Sequence, residues 1–504
     1  MPTTIRQVLL LSSLLLLFSG KGGAKTPLVQ YSITDFGAVG DSITLNTAAI
    51  QAAIDTAHAR GGGEIIIPPG IFYSGSIVLK SNTHLFLAPG SKLLASTELK
   101  DYPMLEVDYT SINRSYGGHE VMAGKTRFAF IIAFRSKNIG ISGQGTIDGN
   151  GGNGADFKVT VDDQGKWHKP KRPAMIHFIS CEDILLRDVD IQYCQNWHVH
   201  MENSEQIRIE NIDITGHANA NDDGIDINSC RDVTIQNCRV DVGDDGLVFK
   251  TKGKAPNENI MVTNCVFASE TRCIQFGSET EGDMRNIVIR NVLLKPTAIR
   301  PEWPEPGAKP ISKLIKRSLG TGISINSNDG GTLENITISQ VRCVDLPSPL
   351  YLHNARRLWK YSEGRYDTTM EAGTLRNIFI NDFVATGIKN TANPTIMGLP
   401  ERPLENIHLS DLYFEFTGTF DPASLLTDLT DLTEHCAWPG YWGKEKHYPA
   451  YGLECRYVEG LSFDNLTFSI KEDPRPAIIL SHTGTLQIGS VSNLGGTGKT
   501  IVTK

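Results

Sequence analysis

From Glu182 onward the chain repeats one short phrase in which apolar and polar residues alternate: EDILLRDVDI, EQIRIENIDI, RDVTIQNCRV, ENIMVTNCVF and RNIVIRNVLL. Related phrases begin at Glu334, Arg376, Glu405 and Glu459. Aligned on the first aliphatic residue, Ile184, Ile207, Val233, Ile260 and Ile287 follow one another at 23, 26, 27 and 27 residues. The steps of 49 and 42 to Ile336 and Ile378 predict either two turns or one turn with an insertion. Alternation with a period of two predicts strands. Asn or Asp then recurs at a fixed offset, at Asp188, Asn211, Asn237, Asn264, Asn291, Asp382, Asp411 and Asn465, and both residue types accept the left-handed backbone of a tight turn. So short a unit cannot bury its apolar face alone, and successive copies must stack. The predicted fold is all-β, a single-stranded right-handed parallel β-helix, or solenoid, with rungs about 4.8 Å apart. A propeller fits less well, because its blades need four antiparallel strands and repeats of about 40 residues or more.

Ahead of the repeats, NTAAIQAAIDTAHARGGG places Ile50, Ala53, Ile54 and Ala57 on one helical stripe and ends in glycine. It predicts an N-terminal capping helix over the open end of the coil, where bare strand edges would invite aggregation. A solenoid grows along one axis, so 504 residues need not mean several domains. Residues 25–504 are read as one β-helix domain with loop insertions near 300–318 and 420–457. Residues 1–24 read as a signal peptide, with Arg6 ahead of an apolar run from Val8 to Phe18 and small residues at Gly22 and Ala24. That run is too short to cross a bilayer, which needs about 20 residues. The expectation is a secreted or periplasmic protein with no membrane span in its mature form.

A charged fraction of 21% and a formal net charge of −8, without a basic run, argue against a nucleic-acid partner. Nine cysteines leave at least one unpaired within the chain. Cys194, Cys230, Cys238, Cys265 and Cys273 lie in or beside strand phrases and read as buried small apolar residues, whereas Cys436 and Cys455 could bridge a C-terminal loop.

The candidate chemistry sits between residues 221 and 250, where NDDG and GDDG flank a strand phrase. Asp223 and Asp244 are 21 residues apart, close to one short rung, so stacking brings the two clusters alongside each other. Carboxylates that close cannot all ionise comfortably, and at least one pKa should rise. A raised and an unraised carboxylate are what acid and base catalysis of glycoside cleavage requires. A calcium site of a polysaccharide lyase, a non-catalytic carbohydrate-binding solenoid and a solvated turn remain alternatives on spacing alone.

The chain resembles the polygalacturonase-type glycoside hydrolases, glycoside hydrolase family 28, over nearly all of its mature length. ITDFGAVGDSITLNTAAIQAAID and ISGQGTIDGNGG look like the family's N-terminal half. Asn221, Asp222, Asp223 and Gly224 match its Asn-Thr-Asp-Gly motif, and Gly243, Asp244 and Asp245 match its Gly-Asp-Asp motif. The resemblance implies that Asp244 is the general acid and that Asp223 and Asp245 hold and deprotonate the attacking water. It also implies inversion in one displacement, for which carboxyl groups about 6.5–9.5 Å apart are expected. No cofactor or metal is implied. The partner is a polysaccharide or oligosaccharide, and a monomer is expected.

Two motifs depart from the family. Its Gly-His-Gly falls on Thr271, Arg272 and Cys273, so a permanent cation replaces a histidine and could stabilise an ionised neighbour or bind an anionic substrate. Its Arg-Ile-Lys, which grips a uronate carboxylate, falls on Ser324, Ile325 and Asn326. Lys250, Lys252, Arg272 or Arg285 could supply the missing charge, or the sugar there is neutral. GSETEGDMRNI and YPAYGLECRYVEG look like a divergent bacterial branch of the family, whose members act on several pectic polymers. Asn221, His217, Lys250, Arg272 and Glu279 are the expected substrate-binding residues, with Glu279 either pairing with Arg272 or serving as an auxiliary carboxylate. The aromatic residues Trp438, Tyr441, Trp442, Tyr448 and Tyr451 in the second insertion could stack on sugar rings and wall one end of the cleft, which would favour exo-action.

Overall fold

The computed structural model describes residues 29–103, 129–157, 160–161, 167–168, 170–297, 320–360, 365–389, 393–426 and 447–504. The signal-peptide segment, the insertion near 300–318 and Cys436, Trp438, Tyr441 and Trp442 lie outside these residues. The described chain is a right-handed parallel β-helix, as the periodicity predicts. Ile139, Ile184, Ile207, Val233, Ile260, Ile287, Ile336, Ile378, Ile407 and Leu461 each pair in parallel register with the next. All ten are no more than 2% exposed. Ile287 pairs directly with Ile336, and Ile336 with Ile378, so each long step is one turn carrying an insertion. The inward row is a continuous apolar stack in which each buried aliphatic contributes roughly 1.5–3 kcal/mol.

Polar side chains stack outside this core. Asp188, Asn211, Asn237, Asn264 and Asn291 all take positive φ. Each asparagine amide donates to the residue one rung before it, at 3.0 Å for Asn211 to Asp188, 3.0 Å for Asn237 to Asn211, 3.3 Å for Asn264 to Asn237 and 2.7 Å for Asn291 to Asn264. A second ladder runs just before the aliphatic row, through Asp232, Asn259, Asn286, Asn335, Asn377 and Asn406, again at positive φ. Its residues stand in six of the nine repeat phrases, but reading the phrases for strands passed over it.

The helix Thr47–Ala59 buries Ile50, Ala53, Ile54 and Ala57 against the first rungs, including Gly63–Ile67 and Ile77–Leu79. It ends at Gly61, whose φ of 96° a side chain would resist. Cys194, Cys230, Cys238, Cys265 and Cys273 are buried as expected. Cys455 is buried too, and its suggested partner Cys436 is outside the described residues.

Candidate active site

Two turns deliver the aspartates. Strand Ile225–Asn228 leaves the turn 221–224, and strand Leu247–Thr251 leaves the turn 243–246. Ile225 pairs with Leu247, and Leu247 with Ile274. The Gly224 N–H donates to the Asp245 carbonyl at 2.9 Å, and the Gly246 N–H to the Arg272 carbonyl at 2.8 Å. Counting back along this register, Asp223, Asp245 and Arg272 form one column, and Asp222, Asp244 and Thr271 the next. The partner in line with Asp223 is therefore Asp245, with Asp244 on the diagonal. The glycines are required by contact: a Cβ on Gly224 would stand 2.4 Å from the Gly246 carbonyl oxygen, and one on Gly246 2.6 Å from that of Cys273.

Asp222 and Asp223 are adjacent in sequence and do different work. The Asp222 carboxylate accepts the backbone N–H of His217 and, at 3.0 Å, that of Gly243, which staples one turn to the next. Asp223 instead lies 3.4 Å from Lys250 Nζ. Burial pushes the Asp223 carboxyl well up, Lys250 opposes this, and the carboxylates of Asp226, Asp244 and Asp245 add to it. Burial likewise raises Asp245, against the Arg272 guanidinium and together with Asp244. Arg272 Nε stands 3.0 Å from Asp245 Oδ1.

Asp244 Oδ2 receives the Asn221 amide at 3.4 Å, and the Asn221 carbonyl oxygen accepts Arg172 Nη2 at 3.1 Å. The guanidinium thus fixes which way the amide points. Thr271 Oγ1 touches both acids, at 2.6 Å from Asp245 Oδ1 and 3.2 Å from Asp244 Oδ1. Two oxygens sharing one hydroxyl at those distances lie within about 6 Å of each other, short of the spacing of about 6.5–9.5 Å associated with inversion. The expected spacing is not met by this pair, because the two acids are consecutive residues of one turn.

Lys250 is 5% exposed and committed as a counter-ion, 2.7 Å from Asp226 Oδ1. Burial would lower its pKa, but Asp226, Glu279 and Asp223 together raise it. Glu279 does not take Arg272: it faces Lys252 at 3.7 Å, while Arg272 is drawn to Asp245 one rung away. Burial would raise Glu279, yet Lys250, Lys252 and Arg357 bring it down to about 2. His217 is buried behind the turn, with Nε2 3.0 Å from both Asp241 Oδ1 and Thr297 Oγ1. Burial favours its neutral ring, but Asp241 and Asp222 outweigh that and raise its pKa.

The fourth motif is electrically quiet. Ser324 and Asn326 are fully buried, and Asn326 Nδ2 donates to Ser324 Oγ at 3.1 Å. Arg285 pairs with Glu258 at 2.9 Å. Among the described residues, His177, His200 and Glu202 form a group with metal-capable atoms within 4.8 Å of one another. His177 Nε2 is already hydrogen bonded to Glu202 Oε2 at 2.9 Å, and the two imidazoles are stacked 4.3 Å apart.

Sequence reasoning passed over several members of this site. Arg172 is 5% exposed, and burial lowers its pKa to about 10; nothing near it repeats a motif. Trp197 lies under Lys250 and Lys252, 4.0 and 4.7 Å from their Nζ atoms. Asp226 had a readable signal, a charged residue between the inward Ile225 and Ile227.

Residues 87–300 match the profile of Glycosyl hydrolases family 28. A "Probable polygalacturonase" of Vitis vinifera is 29% identical over 76% of this chain and 73% of its own length. The "Exo-poly-alpha-D-galacturonosidase" of Dickeya chrysanthemi is 28% identical over 52% of this chain, and the chain spans only 49% of that protein. In fold, a family 28 exopolygalacturonase of Yersinia enterocolitica is similar at a TM-score of 0.63, with 18% identity, over 95% of this chain and 79% of its own. The profile match spans the turns that carry Asp223, Asp244, Asp245 and Arg272, and over residues 87–300 the chain is similar to glycoside hydrolase family 28, polygalacturonase-like in both sequence and fold.

Proposed function

We propose that the protein hydrolyses an α-linked acidic polysaccharide or oligosaccharide of pectic type, galacturonan or rhamnogalacturonan, with inversion. The observation that carries this reading is the burial of Asp223, Asp244 and Asp245 together on adjacent rungs, with Arg272 and Lys250 as counter-ions. Asp244 protonates the glycosidic oxygen. Asp245 and Asp223 hold the water between their two rungs and take its proton as it attacks the anomeric carbon. The products are two saturated sugars.

The neutral Ser324–Asn326 pair favours a substrate whose sugar at that position is uncharged, as alternate residues of rhamnogalacturonan are. Attack from a chain end is the mode we favour, in line with the activity named for the Dickeya relative. The chain works outside the cytoplasm in this reading, since residues 1–24 carry the pattern of an export signal.

The test is product release from homogalacturonan and rhamnogalacturonan oligosaccharides, read by reducing-end assay, mass and the anomeric proton signal. Asp244→Asn should cost about 10²–10⁴-fold in kcat with the melting temperature held. Unsaturated products, or an Asp244→Asn enzyme as active as the native one, would overturn the assignment, and a retained anomer would remove the single displacement.

A further inference from the structure

A hydroxyl group carries one hydrogen, yet Thr271 Oγ1 lies within hydrogen-bond distance of two carboxyl oxygens. The nearby Ser269 hydroxyl cannot absorb the discrepancy. It donates to the Asp244 carbonyl at 2.6 Å and accepts the Thr271 N–H at 2.8 Å. The 2.6 Å contact takes the Thr271 hydrogen to Asp245 Oδ1. At 3.2 Å, Asp244 Oδ1 can then bond only as the donor, which requires it to carry a proton. The other Asp244 oxygen faces the Asn221 amide donor, so a proton on Asp244 belongs on Oδ1.

We propose that Thr271 is a positioning residue that sorts the proton between the two acids, holding Asp244 as the carboxylic acid and Asp245 as the carboxylate. This rests on the hydrolase reading above and deepens it. The family pattern has glycine where this chain has Thr271, so the device comes with the same stretch that replaces the family histidine by Arg272. The other charged groups facing the pair among the described residues do not all act in this sense, and Arg172 favours an ionised Asp244. Arg272 and Lys250 favour an ionised Asp245, Asp223 opposes further ionisation, and Arg172 faces Asp244 across Asn221. A hydrogen bond to a carboxylate lowers its pKa, and one from a carboxylic acid raises that acid's pKa. Thr271 thus pushes the two values apart and widens the active pH range.

The experiment is the pH profile of kcat/KM for the native enzyme, Thr271→Val, Thr271→Ser and Thr271→Gly. Val keeps the shape without the hydroxyl, Ser keeps the hydroxyl, and Gly restores the family residue. In Val and Gly the acid limb should move up and the alkaline limb down, narrowing the plateau by about one pH unit, while Ser keeps the native width. A uniform fall in rate with both limbs in place would make Thr271 merely structural and overturn the proposal, as would unchanged profiles. If Val does not fold, judged by its melting curve, the Ser and Gly profiles decide alone. An active Asp244→Asn enzyme would instead remove the underlying assignment, whatever Thr271 does.

Discussion

The asparagine ladders and the aspartate columns are the same construction with opposite outcomes. Both stack side chains from successive rungs at the spacing of the sheet. An amide has a donor and an acceptor, so Asn264 can give to Asn237 and receive from Asn291, and the pattern repeats indefinitely. A carboxylate only accepts. Asp223 above Asp245 cannot satisfy its neighbour, and the column ends on a cation, Arg272. One oxygen-for-nitrogen exchange turns a self-sufficient stack into one that needs protons and counter-ions, which is the condition for acid and base chemistry.

Removing the cation that ends the column should have the largest effect on this contrast. Arg272→Ala deprives Asp245 of its stabilising charge, so its pKa rises and the acid limb of kcat/KM moves up. A shift of about one unit, or a tenfold loss on that limb, is expected. An unmoved limb would place the water's base elsewhere.

Making the acid column resemble the ladders comes next. The Asp223 pKa is raised in the fold, so its contribution to stability is present at low pH and lost as pH rises through the folded value. Asp223→Asn removes that loss and should gain about 1–2 kcal/mol at neutral pH and little in acid, while activity falls. Thermal melts at both pH values measure it, and a gain equal at the two would break the linkage.

The smallest effect is expected from breaking a ladder. Asn264→Ala removes two amide bonds at an exposed corner and should cost about 1 kcal/mol, with activity unchanged. A loss of activity would mean that the ladder sets the register of the catalytic turns.

The periodic part of the molecule was legible in the sequence because each rung obeys the same local rule. The apolar row and the first asparagine ladder fall where the alternation puts them, and the helix stripe falls where its helical spacing does. The site was legible only where it follows a motif. Asp223, Asp244 and Asp245 come together, but the repeat does not say where side chains from different rungs end. Arg272 reaches Asp245, Glu279 goes to Lys252, and His217 turns to Asp241, outcomes set by competition among buried charges. Arg172 and Trp197 stand outside any repeat, and the one-hydrogen constraint at Thr271 exists only once distances are known.

Forty-nine residues of sequence separate Ile287 from Ile336, yet they advance the coil by a single rung. Length and pitch are therefore set separately. A loop between rungs can change in length without shifting the register that pairs one rung with the next.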